Sequence, residues 1–125
     1  MVTNIILGTN DLAKAEQFYD SLLALFGAEQ TIKNDSSILW KSESNSVGIA
    51  VCIPFDGLPA SNGNGSMVGL KAESFDHLKN IYKTALILGG SCEGEPEERE
   101  PGVYAAYFRD LDHNKFGVFY LGEKH

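Results

Sequence analysis

Apolar residues recur along the chain in two alternating rhythms. Ile5-Ile6-Leu7 is a short β-branched and apolar run and predicts a strand. Behind it, Leu12, Ala15, Tyr19, Leu22, Leu23 and Phe26 trace a single α-helical face. Asn10 stands where a residue caps such a helix, and Gly27 where a left-handed residue ends it. Three strand candidates follow over 29–33, 37–41 and 47–53, separated by Asn34-Asp35-Ser36 and the polar stretch 43–46. The order so far is β-α-β-β-β. Residues 54–66, PFDGLPASNGNGS, carry the Pro, Gly, Asn and Ser of a linker or long loop. Then the pattern restarts. A strand is predicted over 67–72, Ser74 is the cap, and Phe75, Leu78, Ile81, Tyr82, Ala85 and Leu86 form a second helical face. Gly89-Gly90 stops it. The run EGEPEEREPG, 93–102, is expected to be an acidic loop around a short strand. Two aromatic-rich strands, 103–109 and 115–121, flank the turn-like run 110–114.

The two halves repeat. Displacing the chain by 63 residues sets Leu7 on Leu70, Tyr19 on Tyr82, Leu23 on Leu86, Leu25 on Leu88 and Gly27 on Gly90. The expected fold class is therefore α+β, two βαβββ modules over 1–53 and 67–125 joined by a linker at 54–66. Each module has one helix to cover one sheet face, so the other faces are expected to curl into a partly closed cup with the helices outside. Concave, mostly apolar clefts are where small molecules bind.

Composition narrows the partners. The chain has 125 residues, 43% of them hydrophobic, enough for a packed core. Ten Lys and Arg stand against 17 Asp and Glu, a formal charge of −7. That balance lacks the positive footprint of a nucleic-acid binder. No stretch reaches the roughly 18 apolar residues of a membrane span. The opening Met1-Val2-Thr3-Asn4 has no basic region, so no secretory signal is expected and a cytoplasmic location is the reading. Cys52 and Cys92 are read as reduced, packed thiols.

Ile6-Leu7-Gly8-Thr9-Asn10-Asp11-Leu12, then Phe18-Tyr19 and Gly27, resemble the opening of the glyoxalase/bleomycin-resistance/extradiol-dioxygenase group, the vicinal oxygen chelate superfamily. The stretch from Tyr104 to Phe116 resembles that family's strand–RDPDGNK–strand signature, with Leu111 for the usual Pro and His113 for the usual Gly. The resemblance covers nearly the whole chain, and its paired modules are the fold that the repeat implies. Enzymes of the family hold one divalent ion on His and Glu, where it polarises adjacent substrate oxygens. Carried over one by one, the ligand positions match Asn4, Ala50, Met67 and Gly117. An amide oxygen is a weak ligand, Ala and Gly offer none, and a thioether suits Cu(I). No metal and no other cofactor are expected.

No other residue is expected to take over. His77 falls on the second helix, His113 in a turn, where a left-handed conformation suits it, and His125 at the end of the chain. Asp110 and Asp112 are read as shaping that turn. The lining of the cup follows from strand alternation. A hairpin that pairs 109 with 115 sets Tyr107 opposite Gly117, with Lys115 and Phe119 on the same face and Ala105 beside them. The resemblance implies a ligand-contacting tyrosine at Tyr107. Ala50 and Cys52 share a face of the first module. Gly117, Ala105 and Ala50 are small and imply room, while Met67 and Tyr107 give a soft apolar wall. Trp40 stands either in the core or as a platform for a planar ligand.

The candidate ligand-binding set is thus Asn4, Trp40, Ala50, Cys52, Met67, Tyr107 and Gly117. The leading expectation is a metal-free small-molecule binder, similar to the antibiotic-sequestering branch, whose need for negative charge the acidic balance fits; the run 93–100 is read as a solvated loop, with attraction of a cationic ligand as the alternative. The alternatives are a metal-dependent lyase, isomerase or dioxygenase with altered ligands, and a non-catalytic interaction module. A homodimer is what the resemblance implies.

Overall fold

A computed structural model describes residues 1–122. Its elements run β1 (Asn4–Gly8), α1 (Leu12–Ala24), β2 (Glu29–Lys33), β3 (Ser37–Lys41), β4 (Gly48–Cys52), β5 (Val68–Lys71), α2 (Phe75–Ile87), β6 (Ser91–Glu100), β7 (Val103–Arg109) and β8 (Lys115–Leu121). This is the expected α+β doubling. The chain forms two compact units that meet at Asn62–Gly63. The sheet of the first has the order β1-β4-β3-β2, and that of the second β5-β8-β7-β6. In each, the strand before the helix pairs in parallel with the last strand of the module, and the remaining pairs are antiparallel.

In the first unit α1 covers one sheet face. Its apolar stripe, Ala15, Phe18, Tyr19, Leu22 and Leu23, is buried. It meets Ile38, Trp40, Ile49 and Val51, also buried. Removing a fully covered side chain such as Leu22 is worth about 2–5 kcal/mol as Leu→Ala, because the cavity adds to the lost transfer energy. The helix begins one residue later than the sequence implies. Asp11, in extended conformation, accepts from Lys14 N at 3.0 Å and is the cap. Asn10 Oδ1 instead accepts from Ala60 N at 2.6 Å, so part of the expected linker is pinned back onto the first unit.

In the second unit Ser74 caps α2 as expected, accepting from His77 N at 2.9 Å. The repeat holds through both caps and then slips by one. Gly27 is left-handed at φ 75°, but its counterpart is Gly89 at φ 106° rather than Gly90. Leu78, Ile81 and Ala85 bury the inner stripe of α2 against Ala106, Phe108, Phe116 and Val118. Phe108 and Phe116 stack at 5.3 Å. At the helix edge Tyr82 keeps its phenol proton far into alkali. Burial, with a hydrogen bond to Cys92, pushes its pKa up to about 12.

One element departs from expectation. Residues 91–100 form a full ten-residue edge strand, β6, where an acidic loop around a short strand was expected over 93–102. Shifts in register between Cys92 and Gly94, Gly94 and Glu97, and Glu98 and Glu100 break the period-two alternation. Charge and Pro96 are tolerated because one side of an edge strand pairs with nothing.

Candidate functional site

Alternation along the strands decides which side chains turn away from the helices. In the first unit Trp40 contacts Tyr19 of α1 with ring centroids 5.5 Å apart, which sets the helix side of β3. Ile49 and Val51 pair with Trp40 and Ile38, so Ala50 and Cys52 point to the opposite, open face. In the same way Asn4, Ile6 and Gly8 of β1 lie on that face. Cross-strand pairing carries an apolar row across all four strands, Ile6, Ala50, Leu39 and Ile32. Ile6 and Ile32 remain more than half exposed.

Trp40 is not part of this face. It is 1% exposed, and its Nε1–H donates to Asp20 Oδ1 at 2.8 Å. The indole is a core group with its one polar atom satisfied, and the platform reading is set aside. Asp20 Oδ1 also accepts from Gln30, whose Nε2 reaches Glu16 at 2.7 Å. Hydrogen bonds from Gln30 and then Lys33 hold the Glu16 carboxyl below its ordinary pKa.

In the second unit Phe75 of α2 packs on Tyr104 at 4.6 Å, which turns Tyr104, Ala106 and Phe108 toward the helix and Ala105, Tyr107 and Arg109 away from it. The β7–β8 hairpin pairs Arg109 with Lys115 and Tyr107 with Gly117, the register expected from the sequence. Gly69 of β5 lies opposite Gly117, and Gly94 of β6 opposite Tyr107. A cross-strand row thus reads Gly69, Gly117, Tyr107, Gly94.

Those glycines let aromatic rings lie down on the sheet. A Cβ at Gly117 would come within 2.8 Å of Phe119 Cζ and 3.1 Å of Tyr107 Cε1, and one at Gly94 within 2.9 Å of Tyr107 Cδ2. Tyr107 and Phe119 meet edge to face at 5.8 Å. The room that small residues implied at position 117 is therefore taken by the chain's own rings. Cations flank Tyr107. The Arg99 guanidinium lies 5.4 Å and Lys115 Nζ 5.7 Å from the ring centroid. Farther along, β5 and β8 border an open groove of about 550 Å³ lined by Gly69, Lys71, Glu73, Phe119 and Leu121, among others.

The expected site residues therefore fall into three groups. Asn4, Ala50 and Cys52 share the open face of the first sheet. Tyr107 and Gly117 are cross-strand partners on the open face of the second, with Met67, 45% exposed, just ahead of β5. Trp40 leaves the set. Lys115 and Phe119 stand on the face that alternation gave them. Arg99 was missed, although it is the only cation in the acidic run, because the breaks in register hid the strand that carries it. The glycine row was missed because it exists only across strands.

The four positions that would hold the family's divalent ion do not fit one. None carries an imidazole or carboxylate, and at Gly117 two rings fill the space where a ligand side chain would stand. Among the described residues no three His, Cys, Asp or Glu side chains gather in metal-holding geometry. His77 Nδ1 accepts from Glu73 N at 3.0 Å at the start of α2. His113 sits in the turn at φ 69°, the left-handed conformation expected of it. His125 lies outside the described residues. Asp110, 3% exposed, accepts from the backbone N–H of Asp112 and Asn114 and from Asn114 Nδ2 at 2.8–2.9 Å, so its carboxylate builds the turn. Cys52 and Cys92 are both thiols, and Cys92 is exposed rather than packed.

Doubled βαβββ modules, each with a parallel first-and-last strand pair and one helix-free face, are the architecture of the glyoxalase/bleomycin-resistance/dioxygenase superfamily, and the chain belongs to it. The relationship is carried by a glyoxalase/bleomycin resistance protein from Albidiferax ferrireducens T118. It is 31% identical, with 96% of this chain and 98% of that one covered at a TM-score of 0.87. A glyoxalase-related enzyme from Fulvimarina pelagi (18% identity, 96% and 87% covered, TM-score 0.78) shares the fold. So does a glyoxalase/bleomycin resistance protein/dioxygenase family enzyme from Burkholderia phytofirmans PsJN (14%, 95% and 97%, 0.77). No family model and no curated protein matches the chain.

Proposed function

We propose that the chain is a small-molecule-binding protein of the glyoxalase/bleomycin-resistance type that works without a divalent ion, its ligand lying against the helix-free sheet faces. The observation that carries this reading is the glycine row of the second sheet. Where a metal-dependent relative would need a ligand side chain at position 117, Tyr107 and Phe119 lie over the bare backbone instead. The same rings make an apolar surface edged by a few polar groups, the usual make-up of a small-molecule site. The apolar row of the first sheet, Ile6 to Ile32, is of the same kind.

Metal content and metal titration test the reading. Purified protein is expected to hold far less than one equivalent of nickel, zinc, iron or manganese. Adding each ion, or a chelator, is expected to leave the melting temperature where it was, because a ligand that binds only the native state would raise it. A stoichiometric ion, or a clear rise in melting temperature with one of them, would sink the proposal.

A further inference from the structure

We propose that the open face of the second sheet takes the anionic end of a small planar molecule, with Lys115 meeting its charge and Tyr107 and Phe119 its ring; this rests on the small-molecule reading above and names the class of ligand. The sign is opposite to what net charge and the acidic run 93–102 imply, and three observations set it.

The first is where the acidic strand spends its charge. Glu97 pairs with Arg99 at 3.0 Å, and Glu93 with Arg109 at 3.4 Å. Glu98 accepts from Gly102 N at 2.9 Å and closes the β6–β7 turn. These three of the strand's five glutamates hold the strand and its arginines in place, which leaves them poor attractors for a cation.

The second is the charge left over. The open face carries Arg99, Arg109, Lys115 and Lys71 against Glu93, Glu97 and Glu100, the last opposite Val103 at the other end of β7 from Lys115. Glu93 and Glu97 are paired with arginines, and Lys71 shares its groove with Glu73. Lys115 has no acidic partner among the described residues. It is half-buried beside an aromatic ring in a chain of formal charge −7. Partial burial makes such an ammonium a stronger anchor for an anion than a fully solvated one, because water screens it less.

The third is the state of the aromatic surface. The π face of a tyrosine is the natural seat for a ligand cation. At Tyr107 the guanidinium of Arg99 and the ammonium of Lys115 already attend the ring, and a third cation would meet like charge. The Tyr107 hydroxyl has no hydrogen-bond partner among the described residues, and a phenol O–H donates to an anion. A ring laid against Phe119 with its carboxylate toward Lys115 and the Tyr107 hydroxyl satisfies each group.

The test uses three probes of one shape and different charge, namely benzoate, benzamide and benzamidine. Each is titrated into the full-length protein and followed by amide chemical shifts at Gly69, Gly94, Tyr107 and Gly117. The proposal expects benzoate to bind at least about tenfold tighter than benzamide, with benzamidine weakest, and to weaken as salt is raised. In Lys115→Gln the benzoate advantage is expected to fall about tenfold while benzamide is unchanged, with the melting temperature confirming the fold. If benzamide or benzamidine binds best, or Lys115→Gln leaves benzoate binding as it was, the anionic class is wrong and the small-molecule reading stands. If no probe shifts these amides, the class and the reading of this face fall together.

Discussion

Gly117 carries no side chain, and two rings use the space. Its Cβ-free backbone lies under Phe119 and Tyr107, so Gly117→Ala forces both rings to lift. Overpacking of this kind costs about 1–3 kcal/mol. A lower urea midpoint is expected, with a changed near-ultraviolet signal as the edge-to-face pair is disturbed. An unchanged midpoint and spectrum would mean that the rings do not rest on that backbone. The residue scale also explains why the chemistry of single residues misled. Trp40 has the type of a ligand platform, but an aspartate on α1 and a tyrosine ring claim it for the core. Asp110, by contrast, keeps the turn-shaping role read for it, with three hydrogen bonds from the turn on its carboxylate.

At the scale of elements, caps and edges decide the boundaries. Asn10 and Asp11 are both competent caps, and in the sequence only the 63-residue repeat, which sets Asp11 on Ser74, separates them. The choice falls to Ala60, fifty residues away, which takes the Asn10 carboxamide and leaves the helix to Asp11. Asp11→Ala is therefore expected to lose about 1 kcal/mol, the usual worth of a cap. Asn10→Ala should leave helix content alone and loosen the 54–62 segment, which proteolysis and amide exchange at Ala60 would read. Equal loss of helix in both variants would refute the assignment. The strand β6 belongs to this scale too. Helices and regular strands were legible because their periods are intact, as in 103–109 and 115–121, whose bounds the structure keeps. The 91–100 strand was not, because its bulges scramble the period and its charges mimic a loop.

At the scale of the whole molecule, excess negative charge and individual pairings act together. The −7 balance favours solubility and weighs against nucleic acid, but the acids are not a uniform field. Glu16 is held below its ordinary value of 4.5 by Gln30 and then Lys33. The sign follows from proton linkage. Below that value the unfolded chain takes up this proton more readily than the folded one, so Glu16 supports the fold above it and the support is lost as pH falls through the lowered pKa. The urea midpoint is expected to be lower at pH 3 than at pH 7, and Glu16→Gln should flatten part of that dependence. A Glu16→Gln profile that follows the parent throughout would remove this carboxylate from the account.

The amino-acid pattern alone determined the doubled βαβββ plan, the two helices and the β7–β8 register, because each rests on local periodicity, caps and turns that a short window contains. It also placed Tyr107, Gly117, Lys115 and Phe119 on one face, since alternation along a strand is as local as the strand itself. The tertiary structure decided what no window holds: that Trp40 is core, that Asn10 ties down Ala60, that acidic residues hold the arginines of the second sheet, and that aromatic rings occupy the space over its glycines. Those facts depend on which strands lie side by side. Pairing between distant segments is set by the packing of the whole sheet, not by the residues next in line.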